Sequence, residues 1–315
     1  MSFASSAKDE LTKLRARGEK ERLLILAGMT STAGSLTLGM GGRIGIQYVT
    51  ENHSVGKYIA QLATGLYDLE ATVEVREHDR LNARNTVVQL SGNGTKQLLL
   101  DAGALEETED GIGIGEGVPD AALNTEEDKR MFLRGAFLGA GSVSDPNRGY
   151  HLEIVCRSEI FARKLLELIQ SFGLNAKSVL RKGSSVVYLK EGEGISEFLT
   201  LVGASGSTLE FENTRVVKNV RNYINRTSNC ETANMQKTAE AAVHQAQSIL
   251  YIKENKGLEH LPLPLQEAAE LRLNHPEATL SELAAISGMG RSAVNYRLTK
   301  LMQIAHDLQV EKGEL

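Results

Sequence analysis

The chain has few cysteines and no long apolar run. Its two cysteines, Cys156 and Cys230, lie far apart without a CxxC spacing, which favours reduced, packed thiols over a disulfide or a metal site. No apolar stretch approaches the ~18 residues that a membrane-spanning helix needs. Residues 1–6 lack the basic-then-apolar layout of a secretion signal. The sequence therefore predicts a cytoplasmic protein with no membrane partner.

Common ligand-binding motifs are also missing. The seven histidines show no metal-ligand spacing. The glycine-rich run at 111–115 lacks the Lys-Ser/Thr pair of a phosphate-binding loop and lies in an acidic stretch, so we interpret it as a flexible loop. We expect no metal, no other cofactor and no catalytic group.

The net charge of −5 is unevenly distributed. Ten acids and no base lie from Asp101 to Asp128, whereas five bases and one acid lie from Arg215 to Lys237. Affinity for phosphate depends on the local field rather than on the total charge. The second region is therefore compatible with nucleic acid, although a solvated basic helix would have the same composition.

The C-terminal region predicts a helix-turn-helix. Helices are expected at about Leu265–Leu273, Glu282–Ile286 and Arg291–Ile304, and Thr279 lies at capping-box spacing from Glu282. Gly288 can adopt the positive φ of a tight turn between the last two helices. The stripe predicted to face the core of this domain consists of Val294, Leu298, Leu301 and Ala305.

The outer face of this motif predicts DNA contacts. The second helix of a helix-turn-helix presents its N-terminal residues to the major groove, where Arg can read guanine and Asn can read adenine. A helical hairpin that docks a protein has the same spacing, but no acid lies between Arg291 and Lys300, which favours DNA. Arg297 and Lys300 are placed for phosphates. The candidate DNA contacts are Ser281, Arg291, Ser292, Asn295, Tyr296, Arg297 and Lys300.

An internal repeat occupies the first two hundred residues. The pattern L-x-G-x-x-x-x-x-G-S occurs at 26–35 and again at 133–142. Each copy reads as a short helix with small residues on one face, followed by a hairpin, a helix, two β-branched strands and a closing helix. The sequence predicts an α+β fold with two pseudo-symmetric αββαββα repeats, followed by an all-α helix-turn-helix domain.

This repeated pattern resembles the two-motif LAGLIDADG homing endonucleases. In that family the paired helices pack at a pseudo-two-fold interface, and an acid before the last glycine of each motif holds the catalytic metal ions. Ala33 and Ala140 occupy those positions here, and a methyl group neither binds Mg²⁺ nor activates water. The resemblance implies the fold without nuclease activity.

The region between the repeats and the helix-turn-helix is strongly helical and basic. Residues 207–255 contain no proline or glycine, and two helices are expected, the second at Thr232–Tyr251 with Ser228 and Glu231 as its cap. A face of bases and amides without acids suits phosphate and sugar contacts. The candidate contacts in this region are Arg215, Lys218, Arg221, Asn222, Asn225 and Arg226.

The combination of these features resembles the WhiA family over essentially the whole chain. Its parts are the degenerate repeats, the run RNYINRTSNCETAN at 221–234 and the C-terminal helix-turn-helix. The domains are expected at 1–205 (degenerate LAGLIDADG-like), 206–257 (basic helical linker) and 258–315 (helix-turn-helix).

The resemblance implies a regulator of transcription linked to cell division, chromosome segregation or sporulation. It also implies double-stranded DNA as the partner, association with the nucleoid, and a possible protein partner for the LAGLIDADG-like domain. The alternatives are a nucleoid or division protein that binds DNA non-specifically, and a metal-dependent endonuclease.

Overall fold

The structure is a computed structural model that describes residues 2–38, 44–78, 83–109, 111–115, 117 and 120–313. These residues form two compact units, Met1–Asn219 and Val220–Leu315. The first unit contains both repeats, and the second contains the three C-terminal helices together with residues 220–255 of a long helix. Mixed helix and sheet in one unit and helix alone in the other confirm the predicted fold class.

The first repeat follows the predicted order of elements. A short helix, α1 (Phe3–Leu11), precedes it. The repeat consists of α2 (Glu19–Ala33), β1 (Ser35–Leu38), β2 (Ile44–Thr50), α3 (His53–Leu66), β3 (Glu70–His78), β4 (Ala83–Ser91) and α4 (Thr95–Asp101). Its antiparallel sheet has the strand order β1-β2-β4-β3.

A small hairpin joins the two repeats. It is formed by β5 (Leu105–Thr108) and β6 (Gly111–Ile114), which pair in antiparallel register from Leu105 with Ile114 to Thr108 with Gly111. The interpretation of the glycine-rich run as a flexible loop was therefore wrong at its described residues. The absence of Cβ atoms at 111 and 113 left no strand pattern in the sequence, yet the backbone still pairs.

The second repeat has the same topology as the first. It consists of α5 (Glu126–Ala140), β7 (Gly141–Val143), β8 (Leu152–Cys156), α6 (Glu159–Gln170), β9 (Lys177–Arg181), β10 (Ser184–Leu189) and α7 (Gly192–Val202). Its strand order, β7-β8-β10-β9, reproduces that of the first sheet. The matching order confirms two pseudo-symmetric repeats.

The motif helices α2 and α5 are in close backbone contact because glycines face each other across them. A Cβ added at Gly28 would lie 2.6 Å from the amide nitrogen of Ala136, and one at Gly135 would overlap the carbonyl of Ile25. Both helices are almost entirely buried from Leu24 to Met29 and from Met131 to Leu138. The small residues of the repeated motif therefore form the centre of the first unit.

The long helix α8 (Ser205–Asn255) replaces the two helices that were predicted for this region. It has 51 residues and passes through Ser228 without interruption. The capping preference of Ser228 is a local effect, and no proline or glycine follows it to stop the helical hydrogen bonds. The expectation of a break at 228–231 was therefore wrong.

The start of α8 is fixed by the first helix of the chain. The carboxylate of Glu10 in α1 accepts hydrogen bonds from the amides of Gly206 (2.7 Å) and Ser207 (2.9 Å), and from the Ser207 hydroxyl (2.7 Å). A negative group at a helix N-terminus satisfies free amides and interacts favourably with the helix dipole.

The helices of the second unit are α9 (Leu263–Asn274), α10 (Leu280–Ser287) and α11 (Arg291–Glu311). The predicted stripe from Val294 to Ala305 is buried, and it packs with Ile249 and Ile252 at the end of α8. Gly288 has φ +67°, as predicted for the turn. The Thr279–Glu282 capping box is also present.

A buried arginine holds the loop between α9 and α10. Arg272 is 2% exposed, and its Nη1 donates hydrogen bonds to the carbonyl oxygens of Ala278 (2.6 Å) and His275 (3.3 Å). Burial lowers the pKa of its guanidinium. Because both carbonyls lie just before α10, this side chain fixes where the first helix of the motif begins.

Candidate nucleic-acid interface

The N-terminal turns of α11 present an exposed polar face. Arg291, Ser292, Asn295 and Tyr296 are all exposed, and the Tyr296 side chain is open to 69%. Val294 is buried on the opposite side of the helix. No acid lies in the first turn, so the unsatisfied amides at this end attract an anion. The structure thus brings four of the predicted contacts onto one accessible surface.

The Arg297 side chain forms hydrogen bonds within the second unit. Its Nη1 lies 3.3 Å from the Glu267 carboxylate and 3.3 Å from the carbonyl of Pro264, both in α9. This guanidinium therefore ties α11 to α9, and a phosphate would have to compete with Glu267 for it. Sequence reasoning missed this pairing because Glu267 lies thirty residues away in another helix.

Lys300 and Ser281 are accessible. The Lys300 ammonium is 3.3 Å from the amide oxygen of Gln303, one turn further along α11, and is exposed. Ser281 lies in the first turn of α10 and is exposed. The capping hydroxyl beside it belongs to Thr279, whose backbone and side chain hydrogen-bond to Glu282 and hold the pKa of that carboxyl below its usual range.

Two of the candidates in α8 are bound within the first unit. Arg215 forms an ion pair with Glu212 at 3.1 Å. The Lys218 ammonium lies 5.0 Å from the ring centre of Tyr150 and 3.4 Å from the carbonyls of Pro146 and Asn147. Neither side chain is a free phosphate ligand in this conformation.

The other α8 candidates are open to solvent. Arg221, Asn222, Asn225 and Arg226 are exposed, as is every residue from 219 to 241. Arg226 donates from Nε to the carbonyl of Asn222 at 3.3 Å, which is a contact along its own helix. These four side chains are available to a partner.

Ala33 and Ala140 are the last residues of the paired helices α2 and α5. Arg157 forms hydrogen bonds at the end of α2. The Arg157 guanidinium donates to the carbonyl of Ala33 and to the Ser35 hydroxyl, each at 2.9 Å, and to the carbonyl of Gly34. Partial burial lowers the pKa of the Arg157 guanidinium, although much of the side chain remains exposed. Among the described residues, no group of three or more His, Cys, Asp or Glu side chains could hold a metal ion.

Sequence reasoning did not identify Arg157. It follows β8 directly, and the corresponding position after β2 is occupied by Glu51, so the two repeats carry opposite charges there. Asp145, which lies just past the second motif, accepts hydrogen bonds from the backbone (2.9 Å) and side chain of Asn147. Those bonds lower the pKa of Asp145, and they make it a turn residue.

Comparison with known proteins covers most of the chain. Sequence models match at residues 19–105 (WhiA N-terminal LAGLIDADG-like domain), 129–221 (WhiA LAGLIDADG-like domain) and 224–305 (WhiA C-terminal HTH domain). A protein of Clostridium acetobutylicum named "Probable cell division protein WhiA" is 38% identical over 315 residues, with 99% of each chain covered. The chain belongs to the WhiA family. A relative of the same name from Alkaliphilus metalliredigens is 40% identical over 309 residues, covering 97% of this chain and 98% of that one.

A solved WhiA structure has the same fold. The full-length protein from Thermotoga maritima superposes with a TM-score of 0.60 and 23% identity, covering 98% of this chain and 99% of that one. The family assignment confirms the resemblance drawn from the sequence, including the LAGLIDADG-like repeats and the helix-turn-helix. Across the ranges that the structure describes, no helix is long and apolar enough to cross a membrane.

Proposed function

We propose that this WhiA-family chain is a sequence-specific DNA-binding regulator of bacterial cell division that reads bases through α11. The observation that carries the proposal is the exposed face of Arg291, Ser292, Asn295 and Tyr296 at the start of that helix. The printed name of the relatives, a probable cell division protein, supplies the process. Roles in chromosome segregation or sporulation, a cytoplasmic location and association with the nucleoid belong to the same proposal.

Base reading by α11 can be tested by competition binding at fixed salt. Replacing Asn295 with Ala should lower the preference for a selected site over a scrambled one by ~1–3 kcal/mol, since one bidentate base contact is lost. His306→Ala is the matched control, because His306 is exposed on the same helix three turns further on. An unchanged preference in Asn295→Ala would refute the assignment.

A largely non-specific nucleoid protein is the alternative within DNA binding. Such a protein would bind selected and scrambled duplexes alike, and its affinity would depend mainly on the number of phosphate contacts. Replacing the exposed Arg221 should then flatten the salt dependence by about one unit without changing any preference. The arrangement of α11 favours the specific reader, because Asn and Tyr contribute little to non-specific electrostatic attraction.

We also propose that the LAGLIDADG-like unit is not a nuclease. Ala33 and Ala140 supply no ligand, and the Arg157 guanidinium binds the carbonyls at the end of α2, where a second cation would be repelled. Supercoiled plasmid incubated with the protein and Mg²⁺ should stay intact. Cleavage that chelation abolishes would overturn this part of the proposal.

A protein partner for the same unit is supported by exposed apolar side chains. Leu38 at the end of β1 is 82% exposed, and Leu180 in β9 is 73% exposed. Exposed apolar side chains mark an interaction surface when they form a contiguous patch, and Leu36, on the same face of β1 as Leu38, is also half exposed. Replacing both with Ser and measuring retention of candidate division proteins against the parent chain would test this role.

A further inference from the structure

The middle of α8 is a helix without tertiary support. Every residue from 219 to 241 is exposed, and we refer to this stretch as the bare segment. Buried residues flank it: Phe211 precedes it, and Ala242, Gln245 and Ile249 follow it. Most helical stability in proteins comes from packing of one face against the rest of the molecule, and this stretch of α8 buries no side chain. We therefore expect the bare segment to bind a partner.

Its composition differs from that of a solvated helix. Asparagine is unfavourable in helix interiors compared with Ala, Glu or Lys, yet the bare segment has asparagine at 219, 222, 225, 229 and 234. The solvated helix gains no stability from these five amides, so their presence favours a role in binding a partner outside the chain.

The asparagines are arranged to act together. Asn222, Asn225 and Asn229 follow i, i+3, i+7 spacing, so they share one face of the helix, and Gln236 continues that face two turns later. The three side-chain amides form no hydrogen bond with any other described residue. Each of these amides therefore offers a hydrogen-bond donor and a hydrogen-bond acceptor to a partner.

The bare segment combines a small net positive charge of +1 with its row of amides. Arg221, Arg226 and Lys237 are opposed in this part of the helix by Glu231, with Glu240 near its end. Nucleic acid is the partner whose charge is complementary and whose base edges match side-chain amides, since Asn and Gln pair with adenine through two hydrogen bonds. A bare α-helix, ~10–12 Å across, fits a major groove ~12 Å wide.

We propose that the bare segment is a second base-reading helix, which lies in the DNA major groove with the Asn222–Asn225–Asn229 face against adenine-containing base pairs. The inference rests on the proposed function, because it adds a second block to the site that α11 reads. Seven residues of helix rise by ~10 Å, which corresponds to about three base-pair steps of ~3.4 Å. The second block should thus comprise three or four adjacent base pairs.

The opposite face of the bare segment is apolar, and it suggests a protein as the alternative partner. Val220, Ile224 and Met235 lie there and are exposed, so a second copy of the chain or another protein could cover that side. Such a partner would depend on the apolar side chains and would be indifferent to the asparagine amides. Replacing each face separately distinguishes the two occupants.

The test uses the full chain and sites selected from randomised duplex DNA. The triple variant N222A/N225A/N229A removes the amides, and Ala raises helix propensity, so circular dichroism should show undiminished helix. The matched control, V220A/I224A/T227A, changes three exposed residues on the opposite face. We expect the amide variant to lose about tenfold or more of its preference within one block of three or four base pairs, while the control keeps it.

Four results would overturn the inference. An equal loss of affinity for all sequences would mean that the segment contacts only phosphates. An effect confined to the control variant would place a protein on the apolar side. A wild-type preference limited to the base pairs that Asn295→Ala alters would exclude a second reader and leave the proposed function intact, whereas a wild type that selects no site at all would overturn both.

Discussion

Replacing Gly28 with Ala should separate the two motif helices. The added Cβ would overlap the carbonyl oxygen of Phe132, and it would lie 2.6 Å from the amide nitrogen of Ala136 and 3.0 Å from the carbonyl carbon of Gly135. Ordinary contacts of this kind are about 3.5–4.0 Å, so α2 and α5 would have to move apart by about 1 Å. The obstructing atoms are backbone within a buried helix, and no flexible side chain can yield in their place.

The expected cost follows from these distances. Overpacking a core typically costs ~1–3 kcal/mol, and a gap approaching 1 Å forfeits about a quarter to a half of each dispersion contact along the interface. Alanine is more favourable than glycine in a helix by ~1 kcal/mol, which offsets part of the loss. We therefore expect the free energy of unfolding of the first unit to fall by about 2 kcal/mol.

Urea unfolding combined with hydrogen exchange can measure this change. With a typical slope of ~1–3 kcal/mol per molar urea, the midpoint should fall by about 1 M, and the amides of α2 and α5 should exchange faster. Gly65→Ala is the matched control, because Gly65 is a helical glycine of α3 with nothing within 4 Å of its added Cβ. If both variants unfold at the same urea concentration, the close approach of α2 and α5 is not limiting stability.

Three further substitutions should change stability or hydrogen exchange in a predicted direction. Arg272→Met should lower the unfolding free energy of the second unit by ~1–2 kcal/mol, because the partly buried carbonyl of Ala278 loses its donor; an unchanged melting temperature would contradict this. Burial lowers the pKa of Lys8 to about 8 from 10.5, so the folded state binds fewer protons between these values, and stability due to this group should rise with pH there. Lys8→Met should abolish that rise between pH 8 and pH 10 in urea titrations, and a parallel pH dependence in both proteins would refute it. Arg157→Ala should speed hydrogen exchange at the end of α2, where it binds the Ala33 carbonyl, with little change in global stability because Arg157 is exposed; unaltered exchange would show that the contact is dispensable.

The parts of the fold with short-range patterns were predictable from the sequence. Glycines at fixed spacing in two copies identified the motif helices, and the buried stripe of α11 followed from helical periodicity. Gly288 and the Thr279 cap are local rules, and the structure obeys both. In these regions the side-chain pattern and the tertiary structure require the same conformation.

The other features of the fold and of the candidate site depend on contacts between residues that are distant in the sequence. The approach of Glu267 to Arg297 and of Arg157 to the end of α2 spans 30 and 124 residues respectively, and no periodicity encodes such pairs. The unbroken course of α8 was missed for a different reason. Ser228 and Glu231 have capping spacing, but capping preferences act only where the backbone already turns away from the helix.

The hydrogen bonds of Glu10 have a consequence for the order of events during synthesis. This carboxylate joins α1 to residues about 196 positions later in the chain. At translation rates of about 5–20 residues per second, Glu10 leaves the ribosome roughly 10–40 seconds before Gly206 and Ser207 do. The first unit cannot finish folding during that interval, and a nascent chain halted before residue 207 would carry α1 without the helix that it anchors.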